Sequence, residues 1–212
     1  MTRTRPPGTP GEYFDDMYRR AEDPWSLTDR WYERRKYDLT LAALPQPRYR
    51  SALEPGCSVG ELTRRLAGRC DTVLACDRVA AAAGTARRRT ADLPNVEVRH
   101  LLVPEQWPTD RSFDLVVLSE LLYYLDDAGL TRLLRQTADV LEPGGTLVTV
   151  HWNHPVPEHL TTGTGIAHRL ADMPGLALVA DHREEDFVLQ VHRRTVPGGP
   201  PPLSVAAAEG LV

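Results

Sequence analysis

Lysine is nearly absent from this chain: of its 25 basic residues, only Lys36 is a lysine. The arginines are scattered, and with a formal net charge of −4 they form no basic stripe, which argues against a nucleic-acid partner. The arginine bias itself reads as the mark of a GC-rich genome. Cysteine is scarce too. Cys57, Cys70 and Cys76 are odd in number and lack Cys-x-x-Cys spacing, so neither a disulfide frame nor a zinc site is predicted. No tight cluster of Asp and His suggests another metal. Apolar runs stop at strand length, and Met1 to Pro7 has no leader-like apolar stretch, so the expectation is a soluble, cytoplasmic protein without membrane insertion. At 212 residues the chain has room for one α/β domain, expected over residues 11–195. Residues 1–10 and 196–212, rich in Pro, Gly and Ala, read as mobile tails.

What is present begins with Leu53-Glu54-Pro55-Gly56-Cys57-Ser58-Val59-Gly60-Glu61-Leu62-Thr63, a partly apolar run ended by a carboxylate and followed by two glycines. Tyr49 to Leu53 suits a buried strand, whereas Leu62, Leu66 and Ala67 recur at helical spacing. The segment therefore reads as a strand, a turn and a helix start, with Gly56 and Gly60 allowing a ligand close to the main chain. A second strand, Thr72 to Cys76, ends in Asp77, 21 positions after Gly56. In doubly wound sheets a carboxylate at about that distance accepts from a ribose diol. A third apolar strand stops at Ser119 and Glu120. A helix end at Leu141, a Pro-Gly-Gly turn and a further strand lead to His151.

Other elements follow from periodicity. Helices are predicted over Tyr13 to Ala21, over Thr28 to Leu44 with Thr28 as N-cap, over Ala80 to Asp92 and over Asp126 to Leu141. Asn95 to Val103 reads as a strand. Ala177 to His182 and Phe187 to Arg193 form a last strand pair, joined by too few residues for a parallel crossover. One of that pair must run antiparallel in an otherwise parallel sheet.

The order of these pieces over residues 49–155 resembles class I S-adenosylmethionine-dependent methyltransferases. The loop favours that family over dinucleotide enzymes, because Ser58 stands where a second glycine would make room for pyrophosphate, and Glu54 would repel phosphates. Tyr13-Phe14-Asp15-Asp16-Met17-Tyr18, Asp23-Pro24-Trp25, Trp31-Tyr32-Glu33-Arg34-Arg35-Lys36-Tyr37, Leu53-Glu54-Pro55-Gly56-Cys57-Ser58, Leu118-Ser119-Glu120-Leu121-Leu122-Tyr123-Tyr124-Leu125 and Val150-His151-Trp152 narrow the resemblance to the nodulation-protein-S-like family, over about residues 12–194. Founding members of that family N-methylate the exposed amine of a partly deacetylated chito-oligosaccharide.

The resemblance implies a single Rossmann-like domain of seven strands, one antiparallel, with two N-terminal capping helices. It implies S-adenosyl-L-methionine as donor and S-adenosyl-L-homocysteine as product. Glu54, Gly56, Ser58 and Gly60 would face the methionine end, Asp77 with its neighbour Arg78 the ribose, and Val103 the adenine, with Ser119 at a strand end beside them. Trp25, Tyr32 and Lys36 are candidates to cap the methionine moiety, or else pack at the surface. The expected acceptor is an amino sugar or other saccharide, methylated on nitrogen or oxygen. A small-molecule O-methyltransferase and a non-catalytic donor-binding partner subunit remain alternatives.

Methyl transfer needs an acceptor lone pair, so a base titrating near neutrality serves it. His151, at the carboxyl end of a strand, is the first choice, with His154 and His168 competing. Glu120 could hold an acceptor amine, orient His151, or simply face a helix N-terminus. Tyr123, Tyr124 and Trp152 could stack on sugar rings or serve the core.

Overall fold

A computed structural model of the protein describes residues 8–196 and 198–212. Residues 1–7 of the expected N-terminal tail, and Pro197 in the C-terminal one, lie outside the described residues. Two helices, α1 (Gly11–Arg20) and α2 (Trp31–Ala42), precede the sheet. Then come β1 (Tyr49–Pro55), α3 (Glu61–Ala67), β2 (Cys70–Asp77), α4 (Ala80–Arg89), β3 (Val96–His100) and β4 (Phe113–Ser119). A 3-10 turn (Leu122–Tyr124), α5 (Asp127–Val140), β5 (Leu141–Trp152), α6 (Gly163–Ala171), β6 (Leu176–Arg183), β7 (Phe187–Arg194) and a short α7 (Val205–Ala208) complete the order.

The sheet order is β3-β2-β1-β4-β5-β7-β6. β1 to β5 pair in parallel, and β7 runs antiparallel to both β5 and β6, so β7 is the reversed strand of the final pair. Both faces are covered, which explains the near-continuous apolar strands. Ala52, Leu115, Val117 and Val148 point to the side where Tyr37 of α2 and Leu62 and Leu66 of α3 pack. Their neighbours Leu53, Val116, Leu118 and Leu147 point to the side of Leu130 and Leu133 of α5 and Ile166 of α6. The order reverses between β1 and β4, and ligands collect at the carboxyl ends of strands beside such a switch.

Local chemistry moves several predicted boundaries. Thr28 does not cap α2; its hydroxyl and backbone N–H both donate to Asp23 Oδ2 at 3.1 Å, and helix geometry begins at Trp31 with Arg30 as N-cap. The Asp23 turn has claimed the hydroxyl that a cap would use. β3 ends at His100 rather than Val103, because Leu102 N–H turns to the Gln106 side chain (2.8 Å) instead of a neighbouring strand. β5 pairs from Leu141 onward, earlier than expected. Its partners jump from Phe113–Leu141 to Leu115–Thr146, so the Pro-Gly-Gly segment bulges out of the ladder. α5 begins at Asp127, one residue later than expected, with Asp126 as its N-cap accepting from Gly129 N–H at 2.7 Å.

Candidate active site

The carboxyl ends of β1, β2, β4 and β5 open into one cavity of about 890 Å³, roofed by α1 and α2. That is at the upper end for small-molecule sites and large enough for two reactants. Its floor at β1 and β2 is a turn made of main-chain geometry. Gly56 (φ 76°), Ser58 (φ 50°) and Gly60 (φ 80°) adopt left-handed conformations. The N–H groups of Gly56 and Cys57 both donate to Cys76 O, at 2.7 and 2.9 Å, which ties the turn to the end of β2. A Cβ on Gly60 would lie 3.0 Å from Ala86 of α4, so that glycine permits close packing behind the turn and does not line the cavity.

Asp77 closes this floor. Its Oδ2 accepts from Ser58 N–H and its Oδ1 from Val79 N–H, each at 2.9 Å. Burial raises its carboxyl above the usual range, and the two backbone donors offset only part of that. Each oxygen keeps acceptor capacity for a ligand hydroxyl. Tyr18 of α1 reaches down to share a hydrogen bond with the Ser58 hydroxyl, and Trp25 meets Tyr18 edge-on at 5.6 Å. Arg78 packs its guanidinium over the Phe14 ring (5.5 Å), and Arg78, Val103 and Ser119 all line the cavity.

Glu54 is 3% exposed, and its Oε2 has no hydrogen-bond partner among the described residues. Burial, reinforced by the negative Asp77, pushes its carboxyl up to about 8, and the nearby Thr63 hydroxyl pulls it back only in part. A buried carboxyl left without a partner suits a ligand that brings a cationic amine.

The opposite wall is built from side chains of distant segments. Glu120 follows β4 with φ 53°, its N–H held by Val150 O at 2.8 Å. Its Oε1 accepts from Lys36 Nζ at 2.7 Å, and its Oε2 from Trp152 N–H at 3.0 Å and from the Tyr123 hydroxyl. Burial alone would raise this carboxyl, but Lys36, His151 and the hydrogen bonds hold it below the usual value. Lys36, 2% exposed, also meets Glu33 Oε2 at 2.9 Å and lies 4.9 Å over the Tyr32 ring. Burial opposes its charge; Glu120 and Glu33 more than compensate and keep it an ammonium. Burial raises the Glu33 carboxyl above its usual value, with Lys36 offsetting only part of that; when both carboxylates are ionised, Glu33, Lys36 and Glu120 carry a net charge of −1. The chain's single lysine is thus a buried partner of this wall, not a surface residue.

Tyr123, Tyr124 and Trp152 line the cavity as expected from their positions, and Tyr32 stands edge-on to Trp152 at 5.7 Å. The histidines fall elsewhere. His151 is 1% exposed and does not line the cavity; its Nε2 accepts from Leu122 N–H at 3.1 Å, and burial lowers its pKa to about 4. His154 Nε2 pairs with Asp186 at 2.8 Å, and exposed His168 sits on α6; neither lines the cavity.

The histidine that does is His159. It lies in a Pro-rich loop with no periodicity to point to it, and sequence reading passed over it. Its ring stacks on Tyr123 with centroids 3.7 Å apart and planes at 18°. Tyr18 and Glu33 were also passed over as site residues. For Glu33, the i,i+3 spacing to the lone lysine on one helix was the available signal.

Comparison with known proteins identifies the fold and the family. A family model described as a methyltransferase domain matches residues 52–145. Nodulation protein S of Rhizobium tropici is 31% identical over 186 residues, covering 83% of this chain and 77% of that protein. The crystal structure of the N-methyltransferase NodS from Bradyrhizobium japonicum WM9, in complex with S-adenosyl-L-homocysteine, superposes with a TM-score of 0.78 at 26% identity, covering 86% of this chain and 97% of the other. A Pseudomonas syringae structure designated a methyltransferase is 44% identical, covers 78% of this chain and 100% of its own, and gives a TM-score of 0.68. The chain belongs to the nodulation protein S family and is a class I S-adenosylmethionine-dependent methyltransferase.

Proposed function

We propose that this enzyme methylates the free amine of an amino sugar or amino-bearing oligosaccharide. The observation that carries the reading is the wall opposite the donor turn, where Glu33 and Glu120 outnumber Lys36 and stand among Tyr123, Tyr124 and Trp152. An excess of negative charge beside aromatic faces suits an ammonium on a ring with apolar C–H faces. A neutral hydroxyl can also donate to a carboxylate, but an ammonium gains the stronger, charge-assisted contact from such an excess.

The donor fits the other half of the cavity. The unpartnered Glu54 Oε2 would take the ammonium of its methionine end, and Asp77 would accept from its ribose hydroxyls. S-adenosylmethionine supplies a methyl group already activated on a positively charged sulfur. The protein's own part is to align an uncharged amine with that methyl and to keep water out, which α1 and α2 do as a roof. Glu120 and Glu33 first gather the acceptor as an ammonium; a proton must then leave before its nitrogen can attack.

The description of the Bradyrhizobium japonicum relative as an N-methyltransferase supports nitrogen as the site of methylation. The test is to offer glucosamine oligomers, their N-acetylated forms and neutral sugars with labelled donor, then locate the label by mass spectrometry. Label on the amine supports the reading. Label on oxygen of a neutral sugar or a small natural product would replace it with an O-methyltransferase, and donor binding without transfer to any acceptor would favour a partner subunit.

A further inference from the structure

We propose that His159 is the general base that takes the proton from the acceptor amine. This inference rests on the amine reading above. Of the seven histidines in the sequence, His159 alone lines the cavity. Both its ring nitrogens are free of hydrogen bonds among the described residues, and Nδ1 is fully buried. His151, by contrast, spends Nε2 on Leu122 N–H behind the wall, and His154 spends Nε2 on Asp186.

The ring is also held in place. It lies flat on Tyr123, whose hydroxyl is bonded to Glu120, and it meets Tyr124 edge-on at 4.9 Å. Leu160 N–H donates to Tyr123 O at 2.8 Å, and Thr9 Oγ1 donates to Glu158 O at 2.5 Å while Thr9 N–H holds Tyr124 O at 2.8 Å. The loop, the 3-10 turn and the N-terminal arm therefore lock together around the imidazole. This places the free base on the aromatic residue that is anchored to the proposed ammonium-binding carboxylate.

The ring faces Glu120 from the end of β4, Tyr123 and Tyr124 from the 3-10 turn, His151 from β5, and Glu158 on its own loop. Burial lowers its pKa below the ordinary histidine value, with Glu120 and Glu158 opposing, so it stands neutral and ready to accept at neutral pH. In the step, an N–H bond of the acceptor ammonium breaks and an N–H bond forms on His159. The freed lone pair then forms the new C–N bond as the C–S bond breaks, and that electron pair stays on sulfur. The proton on His159 passes to solvent, so one proton is released per turnover.

His159→Phe keeps a flat ring on Tyr123 but removes the base. With a glucosamine oligomer as acceptor, kcat at pH 7 should fall about 10²- to 10⁴-fold and recover as pH rises and the amine loses its proton unaided. Product affinity by calorimetry should stay within a few-fold. Without any donor, the ring NMR signals of His159 should shift when the oligomer is added, and its titration should move to lower pH beside the bound ammonium. A loss that is the same at every pH, an unchanged rate at an amine that the wild type methylates, or NMR signals indifferent to the oligomer would overturn the proposal. If the wild type labels a hydroxyl instead, the amine reading falls by itself, and the same pH profile on that hydroxyl acceptor judges His159 separately.

Discussion

The two halves of the cavity are held by different physics. The half proposed for the donor is shaped by main chain: left-handed backbone at Gly56 and Ser58, two N–H groups on Cys76 O and two more on Asp77, with the Glu54 and Asp77 carboxylates as its side-chain contacts. Its residues lie within two short stretches at the ends of β1 and β2. The half proposed for the acceptor is side chain: α2, the end of β4, the 3-10 turn and the end of β5 join around one buried lysine, and the loop after β5 stacks His159 on Tyr123. A site shaped by main chain withstands side-chain change outside its few direct contacts. A site of buried charges depends on every partner, because removing one leaves the others uncompensated. Such a division lets a family keep its donor while its acceptor drifts.

The largest expected effect is therefore on the acceptor half. Lys36→Met would leave Glu33 and Glu120 facing each other and should cost about 3–5 kcal/mol of unfolding free energy, read by denaturant titration. The cost should shrink toward acidic pH, where the two carboxylates can neutralise by taking up protons. A loss under 1 kcal/mol at pH 7 would show that the wall does not depend on this ion cluster.

Asp77→Asn, on the donor half, should weaken both S-adenosylmethionine and its demethylated product by about 1.5–3 kcal/mol, roughly ten- to a hundredfold by calorimetry. Binding of an amine acceptor should change much less. Equal losses for donor and acceptor would erase the separation between the halves.

A smaller effect concerns pH. With its pKa raised to about 8, Glu54 is mostly protonated at pH 7 in the free protein. A cationic amine favours the carboxylate, so donor binding should expel a proton below pH 8, and affinity should rise with pH by at most tenfold per unit up to about 8. Calorimetry in buffers of different ionisation enthalpy counts that proton. Proton uptake on binding, or affinity falling from pH 6 to 8, would remove Glu54 from the donor site.

The same division explains what the sequence disclosed. Glu54, Gly56, Ser58 and Asp77 stand at fixed local spacings, since a turn between a strand and a helix must be written by adjacent residues. The succession of strands along the chain and one reversed strand within the last pair were legible for the same reason, from apolar runs and the short link before Phe187; the spatial order and the reversal of β7 in particular were not. His159 was not, for it follows two prolines in a loop, and its place depends on the stack with Tyr123 thirty-six positions earlier. His151 looked exposed to the cleft because it ends a strand, yet the 3-10 turn folds over it and takes its Nε2. The Thr28 cap failed through competition from Asp23, a contest that spacing alone does not decide.

The claim that charge in the acceptor half selects an amine is tested most directly by calorimetry on the product-bound enzyme, comparing a glucosamine oligomer with its fully N-acetylated counterpart. The free amine should bind at least about tenfold tighter, as a charge-assisted contact implies. In Glu120→Gln that preference should disappear while product affinity holds within about twofold. Equal affinity for the two oligomers in the wild type, or a preference that survives Glu120→Gln, would contradict the account.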